Sequence, residues 1–269
     1  MSSLLQQWLD FANGLAPEWL LLVDLLVCYS LVLILLRAFG AYGLSLFMVI
    51  GVVAANIQVL TAANFPHLSG LTDTSLMPLG TVLFSATFLA TDCLSEFYGK
   101  KAARRGVMLG FAGAIMMTLV MMVALGYRPL SVEEAGADMG WARDNYYHIM
   151  ALFLPVPAII AASLCSYLIS QLNDIWIFLT IRWATKGRFL WLRASLSTAI
   201  SGLLDNIIFS TLAWVVFTNT PVSFDVLLSY IFGTYLIRLL LAATEAPVIE
   251  LARYFVPKRD RQSKGIPQE

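Results

Sequence analysis

The chain has 269 residues, of which 59% are hydrophobic and only 13% charged, and its mean hydropathy is +0.77. A water-exposed domain carries about 25% charged residues, so a soluble globular fold is excluded; 17 Gly, 10 Pro and 3 Cys likewise exclude a collagen-like fibre, intrinsic disorder and a disulfide scaffold. The formal net charge is zero, which leaves nucleic-acid binding without electrostatic support.

A hydrocarbon core about 30 Å thick needs roughly 20 mainly apolar helical residues to cross it. Runs of that kind, bounded by charges, Gly, Pro or Asn, predict seven transmembrane helices at 18–36, 44–63, 79–98, 106–125, 149–169, 194–217 and 226–251. The expected class is an all-α, polytopic integral membrane protein. Uninterrupted apolar runs lack the alternation of membrane strands, and a helix satisfies its backbone N–H and C=O groups within its own segment.

Basic residues concentrate in cytoplasmic loops. Of the 17 Lys and Arg, only Arg128, Arg143 and the intramembrane Arg238 fall outside the set of alternate loops that holds the rest, such as Arg37, Lys100, Arg105, Arg182, Arg193 and Lys258. That split requires an odd number of crossings, with the N-terminus outside and the C-terminus in the cytoplasm. No Lys or Arg precedes Arg37, so the basic start of a cleavable signal peptide is missing and the first span is expected to be retained. Cys28, Cys93 and Cys165 lie inside spans at spacings that fit neither a redox pair nor zinc, and are expected to be buried, inert thiols. The histidines, His67 and His148, lie in or beside external loops, so neither a metal site nor a cofactor is expected.

Insertion accounts for the apolar runs; function must be sought in the residues that oppose it. An ionisable side chain at the bilayer centre costs about 2.5–3.5 kcal/mol on insertion scales, which implies a partner or a wet cavity. Asp92, Asp205, Arg238 and Glu245 stand deep in spans. In the third helix Phe84, Phe88, Asp92 and Glu96 recur every four residues and share a face, with Glu96 close to the cytoplasmic basic cluster. In the sixth, Ser197, Ser201 and Asp205 form a second polar face, with Asn206 beside the acid and Phe209 one turn on. Arg238 is expected to be the shared counter-charge for the acids, with Glu245 seven residues further along the same face. Asn56 and Gln58 add uncharged donors and acceptors in the second helix, while Gln171 and Asp174 are expected to close the fifth near the cytoplasm. Gly106 and Gly110 form a GxxxG pair that permits close helix approach, here taken as a site for homodimer contact, and Pro155 with Pro157 should bend or delay the fifth helix.

These polar positions resemble those of a known family. The run FLATDCLSEFYGKKAARR (88–105) is similar to the hallmark of the queuosine precursor transporter family, also called the VUT or vitamin-uptake-like family. Supporting runs are ANIQVL (55–60), YLISQLNDIWIF (167–178), WLRASLSTAISGLLDNIIF (191–209) and TYLIRLLLAATEAP (234–247). The resemblance implies a six-helix transporter core, here 44–255, preceded by an extra helix in 1–43 and followed by a mobile basic tail, 256–269. It further implies import of 7-deazaguanine bases, the cyano or aminomethyl precursors of queuosine or queuine itself, across the bacterial inner membrane. Asn56, Asp92, Gln171, Asp174, Asp205 and Arg238 match the family's polar motifs, whereas shorter members lack counterparts of Gln58 and Glu245.

The chemistry suits such a ligand. A guanine-like ring offers two adjacent donors that a carboxylate, Asp92 or Asp205, can accept together. Its ring carbonyl needs a donor, for which Asn56, Gln171, Asn206 and Arg238 are available. Its flat face suits Phe84, Phe88, Phe209 or Trp214. Two other classes compete with this reading: a substrate-binding subunit of a multi-component vitamin importer, and an intramembrane aspartate-dependent enzyme. The GxGD signature of the latter is absent, since Asp92 follows Ala90-Thr91 and Asp205 follows Leu203-Leu204, so no enzyme is expected. Proton coupling and facilitated diffusion both remain open at this level.

Overall fold

The computed structural model describes residues 2–65, 76–136, 138–153, 156–218 and 220–264. His67, Asp73 and Pro155 lie outside them. The chain is built from helices α1 (Ser2–Asn13), α2 (Pro17–Phe39), α3 (Ala41–Gln58), α4 (Thr81–Cys93), α5 (Lys100–Leu125), α6 (Val132–Ala135), α7 (Gly140–Phe153), α8 (Val156–Ala184), α9 (Leu190–Thr211), α10 (Phe224–Phe255) and α11 (Lys258–Lys264). Between α3 and α4 a short ribbon, β1 (Ala62–Asn64) antiparallel to β2 (Leu76–Pro78), pairs Ala63 with Met77.

Among the described residues, six helical stretches are long and apolar enough to cross a bilayer: α2, α3, α5, Ile159–Ala184 of α8, Leu190–Val216 and α10. The segment predicted to cross at 79–98 takes a different form. Its α-helix lasts 13 residues, and the chain then widens into a five-residue π segment, Leu94–Tyr98. A second π segment, Leu212–Val216, extends α9. Such widenings are rare and concentrate at functional sites.

The fifth predicted span is displaced. The expectation at 149–169 straddles the end of α7 and the first half of α8, and α8 continues to Ala184. Gln171 and Asp174 therefore do not close a helix near the cytoplasm. They sit inside a 29-residue helix with no exposed surface, because their side chains turn into the bundle.

α4 is the axis of the molecule. Every residue of it except Leu83 is buried, and it packs on α2, α3, α8 and α10. α9 lies between α8 and α10, and α3 lies against α5. The first span belongs to this bundle: α2 packs on α3, α4 and α10, and the Tyr29 hydroxyl lies 2.7 Å from that of Thr244. Apolar side chains such as Leu109, Met116, Leu119 and Val123 of α5 are exposed, as a lipid-facing surface requires. Cys28 and Cys93 are buried as expected, whereas Cys165 is exposed. Outside the spans, Ser131 and Glu134 form a reciprocal capping box at the start of α6, with Arg128 on the same carboxylate. The backbone N–H and hydroxyl of Ser131, then Arg128, hold the Glu134 carboxyl below its usual range, so this cap is kept at neutral pH and lost as pH falls.

The GxxxG pair works within the chain. A Cβ on Gly106 would meet Leu94 at 2.7 Å and the Met48 sulfur at 2.9 Å, and one on Gly110 would sit 2.4 Å from the Tyr167 hydroxyl. A dimer through this face would first have to displace α3 and α8. Overpacking of this kind costs about 1–3 kcal/mol. Gly110→Ala is therefore expected to lower the melting temperature of the purified protein, and adding Tyr167→Phe, which removes the clashing oxygen, should recover most of the loss. A Gly110→Ala protein melting like the wild type would show that the helices are not in contact there.

Candidate functional site

Five of the residues singled out in the sequence, Phe209 among them, converge on one cavity. Asn56 at the end of α3, Phe84 on α4, Asp205 on α9 and Arg238 on α10 line it together with Phe209 and Ser166. Gly80 and Thr81 form its rim at the start of α4. Gly80 has φ +86, and a Cβ there would lie 2.9 Å from the Ala55 carbonyl oxygen, so this close turn of chain requires glycine. The free space at the centre is about 50 Å³, room for a water or two, so a bicyclic ligand enters only if the walls part.

The cavity's electrostatics are set by one buried ion pair. Arg238 donates to Asp205 Oδ2, with side-chain exposures of 17% and 4%. Asp205 Oδ1 accepts from Ser166 and, at 3.2 Å, from Ser170. This carboxylate is thus engaged by protein donors on both of its oxygens. Arg238 is not saturated: its Nε is buried without a partner, and the guanidinium lies 5.2 Å from the Phe84 ring centre. Asn56 donates its amide to the Val52 carbonyl at 2.9 Å, which leaves its Oδ1 as the free acceptor. The walls therefore offer an unpaired cationic donor, an amide acceptor and two phenyl rings.

The other candidates lie elsewhere. Phe88 stands behind Phe84, with ring centres 6.0 Å apart, and Phe84 also meets Tyr167 edge-on at 6.0 Å. Asn206 turns away to bind the Ile231 carbonyl and the Thr234 hydroxyl, each at 3.0 Å, and so ties α9 to α10. Gln58 is the exposed last residue of α3. Trp214 packs against Tyr230 with ring centres 5.8 Å apart. His148 is exposed in the middle of α7, and among the described residues no group of acids, His and Cys is arranged to hold a metal ion.

Further along α4 lies a second polar level. Gln171 donates to Thr87 at 2.8 Å and accepts from Thr91 at 2.7 Å, forming a seam between the turn that carries Phe84 and the turn that carries Asp92. At its end lie Asp92, next to Thr91 on α4, and Asp174, one turn from Gln171 on α8, while Glu245 of α10 is held by Thr198 at 3.0 Å. All three acids are fully buried. Arg238, expected to serve every core acid, serves Asp205 and no other acid among the described residues.

A third level ends the path. On the π segment, Glu96 Oε1 accepts from Arg193 at 2.8 Å, and Arg182 lies 3.6 Å from Oε2 while donating to the Glu96 carbonyl at 3.0 Å. Arg193 is 1% exposed, also binds the carbonyls of Gly187 and Arg188, and covers the Phe178 ring. Counting this arginine only among the loop charges concealed its role. The serines of the cavity were also passed over, although Ser163, Ser166, Ser170 and Asp174 recur at three- and four-residue intervals on α8, which is a readable helical stripe.

A cavity in a membrane bundle, closed on one side by polar seams and an ion-pair lock, is the architecture of a carrier, and the comparisons agree. Residues 78–252 match the family described as "Putative vitamin uptake transporter". The chain belongs to this family, and is a multi-pass membrane transporter and not an enzyme. A relative from Bacillus subtilis (strain 168), described as "Probable queuosine precursor transporter", is 31% identical over 239 residues, covering 88% of this chain and 95% of the relative. No solved structure matches the chain.

Proposed function

We propose that the protein imports a 7-deazaguanine precursor of queuosine, in its cyano or aminomethyl form, or queuine, across the bacterial inner membrane. The observation that carries this reading is the pairing of an unsatisfied Arg238 donor with a free Asn56 acceptor across a cavity walled by Phe84 and Phe209. The ring carbonyl of a deazaguanine accepts from Arg238, its ring N–H and exocyclic amine donate to Asn56, and the phenyl rings cover its faces. Asp205 holds Arg238 in place and keeps its charge tolerable within the bundle.

Seven crossings with the N-terminus outside make the cavity face the exterior, with α4 and its π segment as the remaining span. Glu96, Arg193 and Arg182 then close the cytoplasmic end. Alternating access requires that lock to open as the outer walls close.

The test is uptake by the purified chain alone in liposomes, with the cyano and aminomethyl precursors, queuine and guanine compared at equal concentration. Time-dependent accumulation of at least one deazaguanine, with guanine moved more slowly, is expected. If none of the deazaguanines enters, the substrate assignment falls.

A further inference from the structure

The second polar level remains unassigned by the substrate reading. Asp92 and Asp174 come from different helices, have no exposed surface, and adjoin the Thr87–Gln171–Thr91 seam, Asp92 next to Thr91 and Asp174 one turn from Gln171. None of their four oxygens has a protein donor. The Ser197 hydroxyl beside Asp174 is directed to the Ala194 carbonyl at 3.3 Å. Ser95, three residues beyond Asp92 on the π segment, is also fully buried with its hydroxyl unpartnered.

The charged and titratable groups around this pair are known element by element. On α4 and its extension they are Glu96 and Cys93, on α10 Glu245, and on α2 Tyr29, whose hydroxyl is engaged by Thr244. Among the described residues, Arg193 and Arg182 pair with Glu96 and Arg238 with Asp205, while Arg37 is exposed in the last turn of α2. Two fully buried carboxyls without a protein donor, at one level of the bundle, are not both ionised in a low-dielectric interior. An ionised carboxylate only accepts hydrogen bonds, so a direct bond between the two forms when one is a carboxylic acid donating to the other. An alkali cation would need a shell of several oxygens, whereas such a pair is complete with one hydrogen.

We propose that the Asp92–Asp174 pair, with Glu245 beside it, is a proton-binding site that couples import to the proton gradient. The inference rests on the transport reading above. The pair lies between the substrate cavity and the Glu96–Arg193 lock, joined to the former by the Thr87–Gln171–Thr91 seam. One proton taken up from the exterior fills the pair while substrate occupies the cavity. The same proton leaves to the cytoplasm when the lock opens, so each cycle moves one substrate and one proton inward.

The experiment uses full-length protein in liposomes loaded with a pH-sensitive dye, membrane potential clamped, with labelled 7-cyano-7-deazaguanine as probe. Exchange of external label for internal unlabelled base, which needs no net proton flow, reports the transport reading separately. An imposed gradient of one pH unit, acid outside, should drive about tenfold accumulation at one proton per substrate, with lumenal acidification in step. Asp92→Asn and Asp174→Asn should each reduce substrate-dependent acidification at least tenfold, with circular dichroism and gel filtration like the wild type. Exchange without acidification in the wild type would overturn the coupling while leaving import intact. Dependence on a sodium gradient, or variants that acidify the lumen like the wild type, would overturn the proton site. Absence of exchange would sink both readings together.

Discussion

Asp205→Asn and Arg238→Gln are each expected to abolish uptake, and their stabilities should separate the two roles of the pair. Asp205 receives hydrogen bonds from Arg238, Ser166 and Ser170 on its two oxygens. An asparagine amide must turn its own N–H groups toward one set of these donors, leaving a buried guanidinium opposed by hydrogens. Breaking a buried pair by removing one partner costs about 3–5 kcal/mol, while replacing both partners often costs nothing. Asp205→Asn should therefore melt well below the wild type, and the double variant Asp205→Asn/Arg238→Gln should recover most of that loss. Uptake should not recover, because the double variant still lacks the cationic donor that the Phe84 wall orients. Melting of the detergent-purified proteins and initial rates of labelled deazaguanine uptake in liposomes check both halves. A double variant that transports at the wild-type rate would reduce the pair to a packing device.

Which parts of this site could be read from sequence follows from what a linear pattern encodes. Helical periodicity put Phe84, Phe88, Asp92 and Glu96 on one face; the first three stand on α4, and Glu96 lies beyond it on the π segment. The same periodicity cannot say how far along a bundle each turn meets its neighbours, so it merged the cavity and the level of Asp92 into one supposed site. Asp205 and Asp92 looked equivalent as deep acids, yet one is satisfied by an arginine and two serines and the other has no protein donor. Hydropathy located five of the six long apolar stretches, α2, α3, α5, α9 and α10, because the cost of exposing polar groups to lipid falls along the chain itself. It failed at α8, where Gln171, Asn173 and Asp174 lowered the local hydropathy although their side chains point inward. Arg193 shows the opposite error, since its place in a basic loop concealed a side chain buried to 1% exposure. The π segments left no trace, because they arise from tertiary packing and not from composition.

In the proposed orientation, neutralising Glu96 should open the cytoplasmic end, and a native thiol reports it. Cys93, the last residue of α4, has no exposed surface and lies three residues before Glu96 of the π segment. With Cys28 and Cys165 replaced by serine, Cys93 is the remaining thiol, and it should react slowly with a small methanethiosulfonate reagent in the detergent-purified protein. Glu96→Gln removes the charge that binds Arg193 and Arg182 while Arg193 keeps its carbonyl partners Gly187 and Arg188, so the fold is retained. If only a third of the roughly 3–5 kcal/mol carried by a buried pair biases the closed state, the open population rises about tenfold. Labelling should accelerate by at least that factor, and saturating deazaguanine should change the rate in the wild-type background but far less in the variant, whose lock no longer responds. Equal labelling rates with and without Glu96 would mean that these three charges brace the end of α4 without gating it, and that the inward exit lies along another face of the bundle.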